Sequence, residues 1–138
     1  MRNLLALGIL VAAGTLASAD EETIKDAAAG TPEATVAAAL KAALAGDFEA
    51  YVQLLPAEKR TDEQRASVER YEWARFKRQA AGYVKSKDPL TFVIVRREPK
   101  GEDAVKLFIK DHKVEGRMPV PVQLKKDGNT WLIVANAL

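Results

Sequence analysis

Hydrophobic residues recur at helical spacing directly after residue 30 and predict an N-terminal helix. Thr31-Pro32-Glu33 marks its start, because a hydroxyl can cap free main-chain N–H groups, proline suits the first helical turn and an acid suits its positive end. Gly46, a residue type common at helix ends, marks its stop. Between them, one apolar stripe is formed by Val36, Leu40, Ala43 and Leu44.

Two further helices are predicted before the chain changes its pattern. Asp47 can cap a short helix, which Pro56 ends. Thr61 and Gln64 have the spacing of a capping box, and a long helix is expected from there to about Ala81. The apolar face of the short helix consists of Phe48, Tyr51, Val52 and Leu55.

From residue 90 onward the pattern is that of extended strands. Residues 90–98 (LTFVIVRRE) are apolar on both faces over their first half, and residues 104–111 (AVKLFIKD) alternate between apolar and polar. A third strand with an apolar face over 118–124 is followed by Asp127-Gly128-Asn129, a strong hairpin-turn signal, and by residues 130–135 (TWLIVA). The pattern therefore predicts four strands joined by short turns.

The order of helices followed by strands predicts an α+β fold. N-terminal helices are expected to pack on a curved antiparallel four-stranded sheet, in a single domain over residues 31–138. Pro119 and Pro121 both lack the N–H group that would point to one side of their strand. An open or bulged strand edge is therefore expected there.

Two segments suggest a family. Residues 31–55 (TPEATVAAALKAALAGDFEAYVQLL) and 121–134 (PVQLKKDGNTWLIV), with the elements between them, resemble the nuclear transport factor 2-like superfamily, also called cystatin-like. The resemblance covers roughly residues 31–136 and is closest to small secreted or lipid-anchored bacterial members of unknown function. It implies a cone-like fold. Because the superfamily includes isomerases, dehydratases, cyclases, enzyme-associated subunits and binding modules, it implies no single activity, and no acid/base pair is carried over.

The first nineteen residues have the layout of an export signal. Met1-Arg2-Asn3 is positively charged, residues 4–16 are uncharged and mostly apolar, and small residues end at Ala19 before the acidic Asp20. The apolar run falls short of the ~20 residues that cross a bilayer. We therefore expect cleavage between Ala19 and Asp20, a secreted or periplasmic location, and a flexible lead-in over residues 20–30.

Composition excludes several classes of chemistry. The 138 residues include no cysteine, which excludes disulfides, thiolate metal sites and a thioether lipid anchor. His112 is the only histidine, so neither a metal site nor a cofactor is expected. The net charge of +2 is that of an ordinary surface, and no nucleic-acid partner is expected. Residues 59–97 contain eleven basic and five acidic residues. We interpret this excess of basic residues as a solvated helix face, and the alternative is a surface that binds an acidic partner.

Glu69 and His112 are weak candidates for acid/base catalysis. Counting about 100° per residue, Glu69 falls on the apolar face of the long helix with Ala66, Trp73 and Phe76, where burial would raise the pKa of its carboxyl group. The alternative is that Glu69 lies at the edge of this face and pairs with a neighbouring arginine, Arg65 or Arg70. For His112, the alternative is a surface position at the charged end of a strand.

Three hypotheses about function remain open. The leading one is a secreted, non-catalytic module that binds a small apolar ligand in its interior or a protein partner on its sheet face, and a homodimer through that face or the open edge is a further alternative. The rival is a small isomerase-, dehydratase- or hydrolase-type enzyme using Glu69 or His112. The third is a purely structural domain with a filled core. Candidate ligand-binding aromatics, which could equally fill the core, are Trp73, Phe76, Tyr83, Phe92 and Trp131.

Overall fold

The computed structural model describes residues 21–138. The predictions about the export signal and about cleavage between Ala19 and Asp20 lie outside these residues. Within them, helices and an antiparallel sheet form one α+β unit, which confirms the predicted fold class.

The first two helices begin where the sequence predicts, and the first also ends there, whereas the second ends at Val52, before the predicted stop at Pro56. Helix α1 (Pro32–Ala45) is capped by the Thr31 hydroxyl, which accepts a hydrogen bond from the Ala34 N–H at 3.2 Å. Gly46 ends it with φ 71°, a left-handed conformation that glycine adopts without strain. Helix α2 (Phe48–Val52) is capped by the Asp47 carboxylate. A 3₁₀ turn at Ala57–Lys59 follows.

The predicted long helix is present but is not uniform. Helix α3 (Asp62–Ser67) passes into a π-helical segment (Val68–Trp73), then into helix α4 (Ala74–Gln79) and a 3₁₀ turn (Ala80–Tyr83). Because a π-helical turn takes in an additional residue, positions before it are displaced around the axis relative to regular 3.6-residue spacing. Val68 is therefore buried together with Trp73, and Ala66, predicted on the apolar face, is exposed.

The sheet has six strands rather than the predicted four. The strands are β1 (Glu22–Lys25), β2 (Ser86–Lys87), β3 (Leu90–Pro99), β4 (Ala104–Ile109), β5 (Val120–Asp127) and β6 (Thr130–Asn136). Their order in the sheet is β1-β3-β4-β5-β6, and the two additional strands, β1 and β2, both pair with β3.

Strand β1 corrects the prediction that residues 20–30 form a flexible lead-in. Its main chain pairs with β3 over four residues, and Ile24 packs against the core. Two ion pairs hold the same segment, Glu22 to Arg97 at 2.8 Å and Glu21 to Lys110 at 3.0 Å. This segment has little apolar content, and it is ordered because its main chain pairs with the edge of β3, which lies far away in the sequence.

The predicted irregularity near Pro121 is a bulge and not an open edge. Pro121 lies opposite Phe108 of β4, and β5 pairs with β6 on its other side. The register between β5 and β6 shifts between Gln123 and Leu124. Pro119 precedes the strand.

Helices α1 and α4 cover one face of the sheet, the inner face, and enclose the core with it. Buried side chains of β3 to β6 meet buried side chains of α1 and of the π-helical segment. The inner-face strand residues of this core are Phe92, Ile94, Leu107, Ile109, Val122, Leu124 and Ile133.

Candidate functional site

The interior of the protein is filled by the aromatic residues that were candidates for ligand binding. Trp73, Phe76, Tyr83 and Phe92 are at most 3% exposed, and Trp131 is partly buried against the same core. The rings of Trp73 and Phe76 contact each other at a centroid distance of 6.4 Å. Four surface pockets of the part that the structure describes are lined by other residues. Trp73, Phe76, Tyr83 and Phe92 therefore pack within the core, and Trp131 packs against it.

A buried polar network lies within this core. The Tyr51 hydroxyl donates to the Glu72 carboxylate and accepts a hydrogen bond from the Asn136 side-chain amide at 2.8 Å. The Asn136 amide oxygen accepts from the Leu138 N–H, and Arg75 donates to the main-chain oxygens of Asn136 and Leu138 at 2.6 and 2.9 Å. No fully buried side-chain nitrogen or oxygen in residues 21–138 lacks a hydrogen-bond partner, so the network stabilises the packing of the C-terminal residues against the helices.

Tyr51 is held in its neutral form by this environment. Burial raises the pKa of its hydroxyl well above the usual value for tyrosine, and the nearby Glu72 carboxylate raises it further. Tyr51 is fully buried. Because no substrate can reach the hydroxyl in this packing, the network is structural rather than catalytic.

Glu69 is exposed, so the prediction that it lies among the core aromatics is wrong. The alternative, a position outside the core, is confirmed, although neither Arg65 nor Arg70 forms an ion pair with Glu69 in residues 21–138. The half-buried carboxylate of this helix is Glu72, which sequence reasoning missed. The sequence contains a signal for the position of Glu72, because Glu72 precedes Phe76 by four residues and so lies on the same face of the helix as Phe76.

His112 is exposed, as its surface alternative predicts, in the loop between β4 and β5. Partial burial lowers the pKa of its imidazole, and the neighbouring Lys110 and Lys85 lower it further. The buried carboxylate of the loop is Asp111, which accepts hydrogen bonds from the Lys113 N–H at 2.8 Å and from Arg117 at 3.0 Å. Both carboxylate oxygens of Asp111 therefore accept hydrogen bonds from within the loop, and these bonds fix the conformation of the loop.

The sheet face turned away from the helices, the outer face, carries an aromatic residue among basic ones. Antiparallel register places Arg96 opposite Phe108, and Lys106 opposite Gln123. The Arg96 guanidinium lies 4.0 Å from the centroid of the half-buried Phe108 ring, and the Lys106 ammonium lies 5.8 Å from it. Such cation–π contacts orient the cations beside the ring. Pro121, opposite Phe108, extends the apolar part of this surface.

Sequence reasoning expected a partner on the sheet face but did not name the residues of this surface. The available signal was that Phe108 shares the polar side of its alternating strand with Lys106 and Lys110. An aromatic residue at a position that should face water indicates either a covering element or a binding surface. In residues 21–138 the helices pack on the opposite face, which leaves this ring half-buried at the surface.

The outer edge of β6 is covered. The Ile133 N–H donates to the Leu54 carbonyl at 2.8 Å, the Thr35 hydroxyl donates to the Trp131 carbonyl, and the Lys59 ammonium donates to the Val134 carbonyl. These groups come from α1 and from the connection between α2 and α3. The β6 edge is therefore not available to a partner strand along these residues.

Two classes of site are absent from the described part of the chain. Residues 21–138 contain no group of three or more His, Asp and Glu side chains that could hold a metal ion. Within the same residues, no helix has both the length and the apolar character needed to cross a membrane.

No family model, curated protein or solved structure matches this chain. The resemblance to the nuclear transport factor 2-like superfamily therefore stays a prediction, and the function is argued from the site alone.

Proposed function

We propose that this protein is a non-catalytic binding module that uses the outer face of its sheet to bind an acidic segment of a partner protein. The observation that carries the proposal is the half-buried Phe108 ring, contacted by Arg96 and Lys106, on a face that has several basic side chains and the acidic Glu98. An exposed aromatic residue among oriented cations offers both apolar area and charge to a ligand.

The charge of the outer face favours an acidic partner. Of its basic side chains, Arg96 is paired with Glu98 at 3.1 Å and Lys110 with Glu21. Lys106 and Lys125 form no ion pair with any residue in 21–138. Strand register places Lys125 two positions from Gln123, the residue opposite Lys106, so the two lysines are diagonal neighbours. Glu98 lies opposite Lys106 but is paired with Arg96. The two lysines therefore attract carboxylates and repel a second copy of the same face, which argues against a homodimer through it.

The other functions considered have less support. A small apolar ligand in the interior would have to displace aromatic side chains that are already packed against each other. An enzyme using Glu69 or His112 would need a shared cavity, and the pocket beside His112 is lined by residues of its own loop.

Charge reversal on the outer face provides the test. The Lys106→Glu/Lys125→Glu double variant is expected to weaken binding of a polyglutamate peptide at least tenfold, because two attractive charges become repulsive. The control is Lys77→Glu/Arg78→Glu on helix α4, which changes the net charge equally at exposed positions and should change the affinity less than twofold. Isothermal titration calorimetry at low and high salt measures both, and binding should weaken as salt rises.

Three results would overturn this proposal. Wild-type protein that does not bind polyglutamate at low salt contradicts it directly. Equal losses in the two double variants would show attraction to net charge alone. Tighter binding of single-stranded oligonucleotides than of polyglutamate, lost in Lys106→Glu/Lys125→Glu, would identify a nucleic-acid surface instead.

We also propose that the module is exported. The support is the charged start, the apolar run and the small residues that end at Ala19. Mass spectrometry of the protein recovered from the periplasm or medium of a bacterial host is expected to show a chain that begins at Asp20. Recovery only from the cytoplasm with residues 1–19 intact would contradict export.

A cone-like curvature of the sheet, as in the nuclear transport factor 2-like superfamily, is part of the same proposal. Its support is the order of helices before strands and two register shifts, between Ile94 and Arg96 and between Gln123 and Leu124. Bulges of this kind bend a sheet. On this proposal the concave side is the filled inner face, and binding takes place on the convex side.

A further inference from the structure

A pocket of about 300 Å³ adjoins the outer face where β6 meets the connection between α2 and α3. Lys125, a cation of the proposed binding surface, belongs to its lining, so the pocket and the surface are continuous. At this size the pocket is near the lower limit for ligand sites, which suits a single side chain better than a whole small molecule. Its lining residues are Pro56, Glu58, Lys125, Lys126, Asp127, Leu132 and Val134.

The bulge between β5 and β6 creates the apolar part of this pocket. Leu132 lies opposite Lys125 on the outer face, and Ile133 points into the core. The next core residue of β6 is Asn136, so both Val134 and Ala135 lie outside the core in succession. Leu132 and Val134 are therefore both only partly buried and present aliphatic surface toward the same pocket.

The connection between α2 and α3 forms the opposite wall. Pro56 and Glu58 belong to this segment, which is fixed to β6 by two hydrogen bonds, from the Ile133 N–H to the Leu54 carbonyl at 2.8 Å and from the Lys59 ammonium to the Val134 carbonyl at 3.1 Å. Because these two hydrogen bonds join the two walls of the pocket, the walls are held in place before a ligand arrives.

The lining of the pocket holds Glu58 and Asp127 against Lys125 and Lys126, so its charges balance and favour neither an acidic nor a basic side chain inside. Beyond the pocket, Lys106 favours acidic residues on the adjoining face. We infer that the partner segment is acidic but carries one apolar side chain, which inserts between Leu132, Val134 and Pro56. This inference rests on the proposed function and specifies the chemistry of the partner at that site.

Paired peptides test the inference. A polyglutamate peptide with one central leucine is expected to bind wild-type protein about tenfold more tightly than the same peptide with a central alanine, since burying the additional methyl-bearing groups stabilises the complex. Leu132→Ala should reduce this preference to less than threefold. Val114→Ala, at an aliphatic residue that is 48% exposed in another loop, is the matched control and should keep the preference.

The outcomes separate the inference from the proposed function. If both peptides bind the outer face equally, or if Leu132→Ala leaves the leucine preference intact, the pocket inference is wrong while the proposed function stands. If neither peptide binds and Lys106→Glu/Lys125→Glu changes nothing, both fail. Phe108→Ala provides a further measurement, because it should weaken both peptides by the same factor and leave the leucine preference unchanged. A leucine preference reduced by Phe108→Ala and unaffected by Leu132→Ala would place the apolar contact on Phe108 and overturn the inference.

Discussion

Phe76→Ala is expected to lower the free energy of unfolding by about 3–5 kcal/mol. Phe76 is fully buried, and its ring contacts those of Tyr51 and Trp73 at centroid distances of 5.4 and 6.4 Å. Removing it leaves a cavity that rigid neighbours cannot fill. Urea denaturation followed by tryptophan fluorescence and circular dichroism measures the change.

The matched control is Phe108→Ala on the outer face. Phe108 is only half-buried, and its loss should cost roughly 1 kcal/mol, the scale of one cross-strand pair. Unchanged stability in Phe76→Ala would contradict a packed interior and would favour a ligand cavity lined by the aromatic residues.

Tyr51→Phe is expected to have two effects, which pH separates. At neutral pH it should lower the free energy of unfolding by about 1–3 kcal/mol, because Glu72 and the Asn136 amide each lose a buried partner. At alkaline pH it should remove part of the loss of stability that the wild type shows. Denaturation curves at pH 7 and at several values above pH 9 measure both effects.

The sign of the alkaline effect follows from the raised pKa of the Tyr51 hydroxyl. In the unfolded chain this hydroxyl ionises near pH 10, whereas in the folded chain it stays protonated to higher pH. Above pH 10 the unfolded state therefore binds fewer protons than the folded state, and the free energy of unfolding falls, by up to about 1.4 kcal/mol per pH unit from this group. Phenylalanine cannot ionise, so the variant lacks this decrease.

Tyr71→Phe is the control for Tyr51→Phe, because Tyr71 is 65% exposed. It should reproduce the wild-type stability at pH 7 and the wild-type pH dependence. If Tyr51→Phe and the wild type lose stability in parallel above pH 10, the buried network does not hold the hydroxyl neutral.

Local signals explain why much of the fold could be predicted from the sequence. The caps at Thr31 and Asp47, the stop at Gly46 and the turn after Asp127 each act within a few residues, and the structure confirms all of them. The alternation of apolar residues also placed Leu107 and Ile109 correctly in the core.

The errors arose where distant residues decide the structure. Strand β1 has little apolar content, and it is ordered by the edge of β3, some seventy residues later in the chain, and by the Arg97 and Lys110 ion pairs. The π-helical segment Val68–Trp73 breaks the regular spacing on which the position of Glu69 was calculated. Neither the pairing of β1 nor the π-helical segment can be recognised from a short stretch of sequence.

The candidate site, too, could be predicted from the sequence only in part. The alternation in residues 104–111 already places Phe108 among lysines, but only the packing of the helices on the opposite face shows which side of the sheet is free. The pocket beside Leu132 depends on a bulge and on the connection between α2 and α3, which are far apart in the chain. Its residues could not be grouped from sequence alone.

An NMR titration of ¹⁵N-labelled protein with the polyglutamate peptide that contains one leucine tests whether the outer face binds and the interior does not. Amide shifts are expected only on the outer face and its pocket, at Arg96, Phe108, Gln123 and Leu132, with those of Tyr51 and Phe76 unchanged. Shifts centred on the core residues, on helix α4 or on the His112 loop, or no shifts at all, would contradict this expectation.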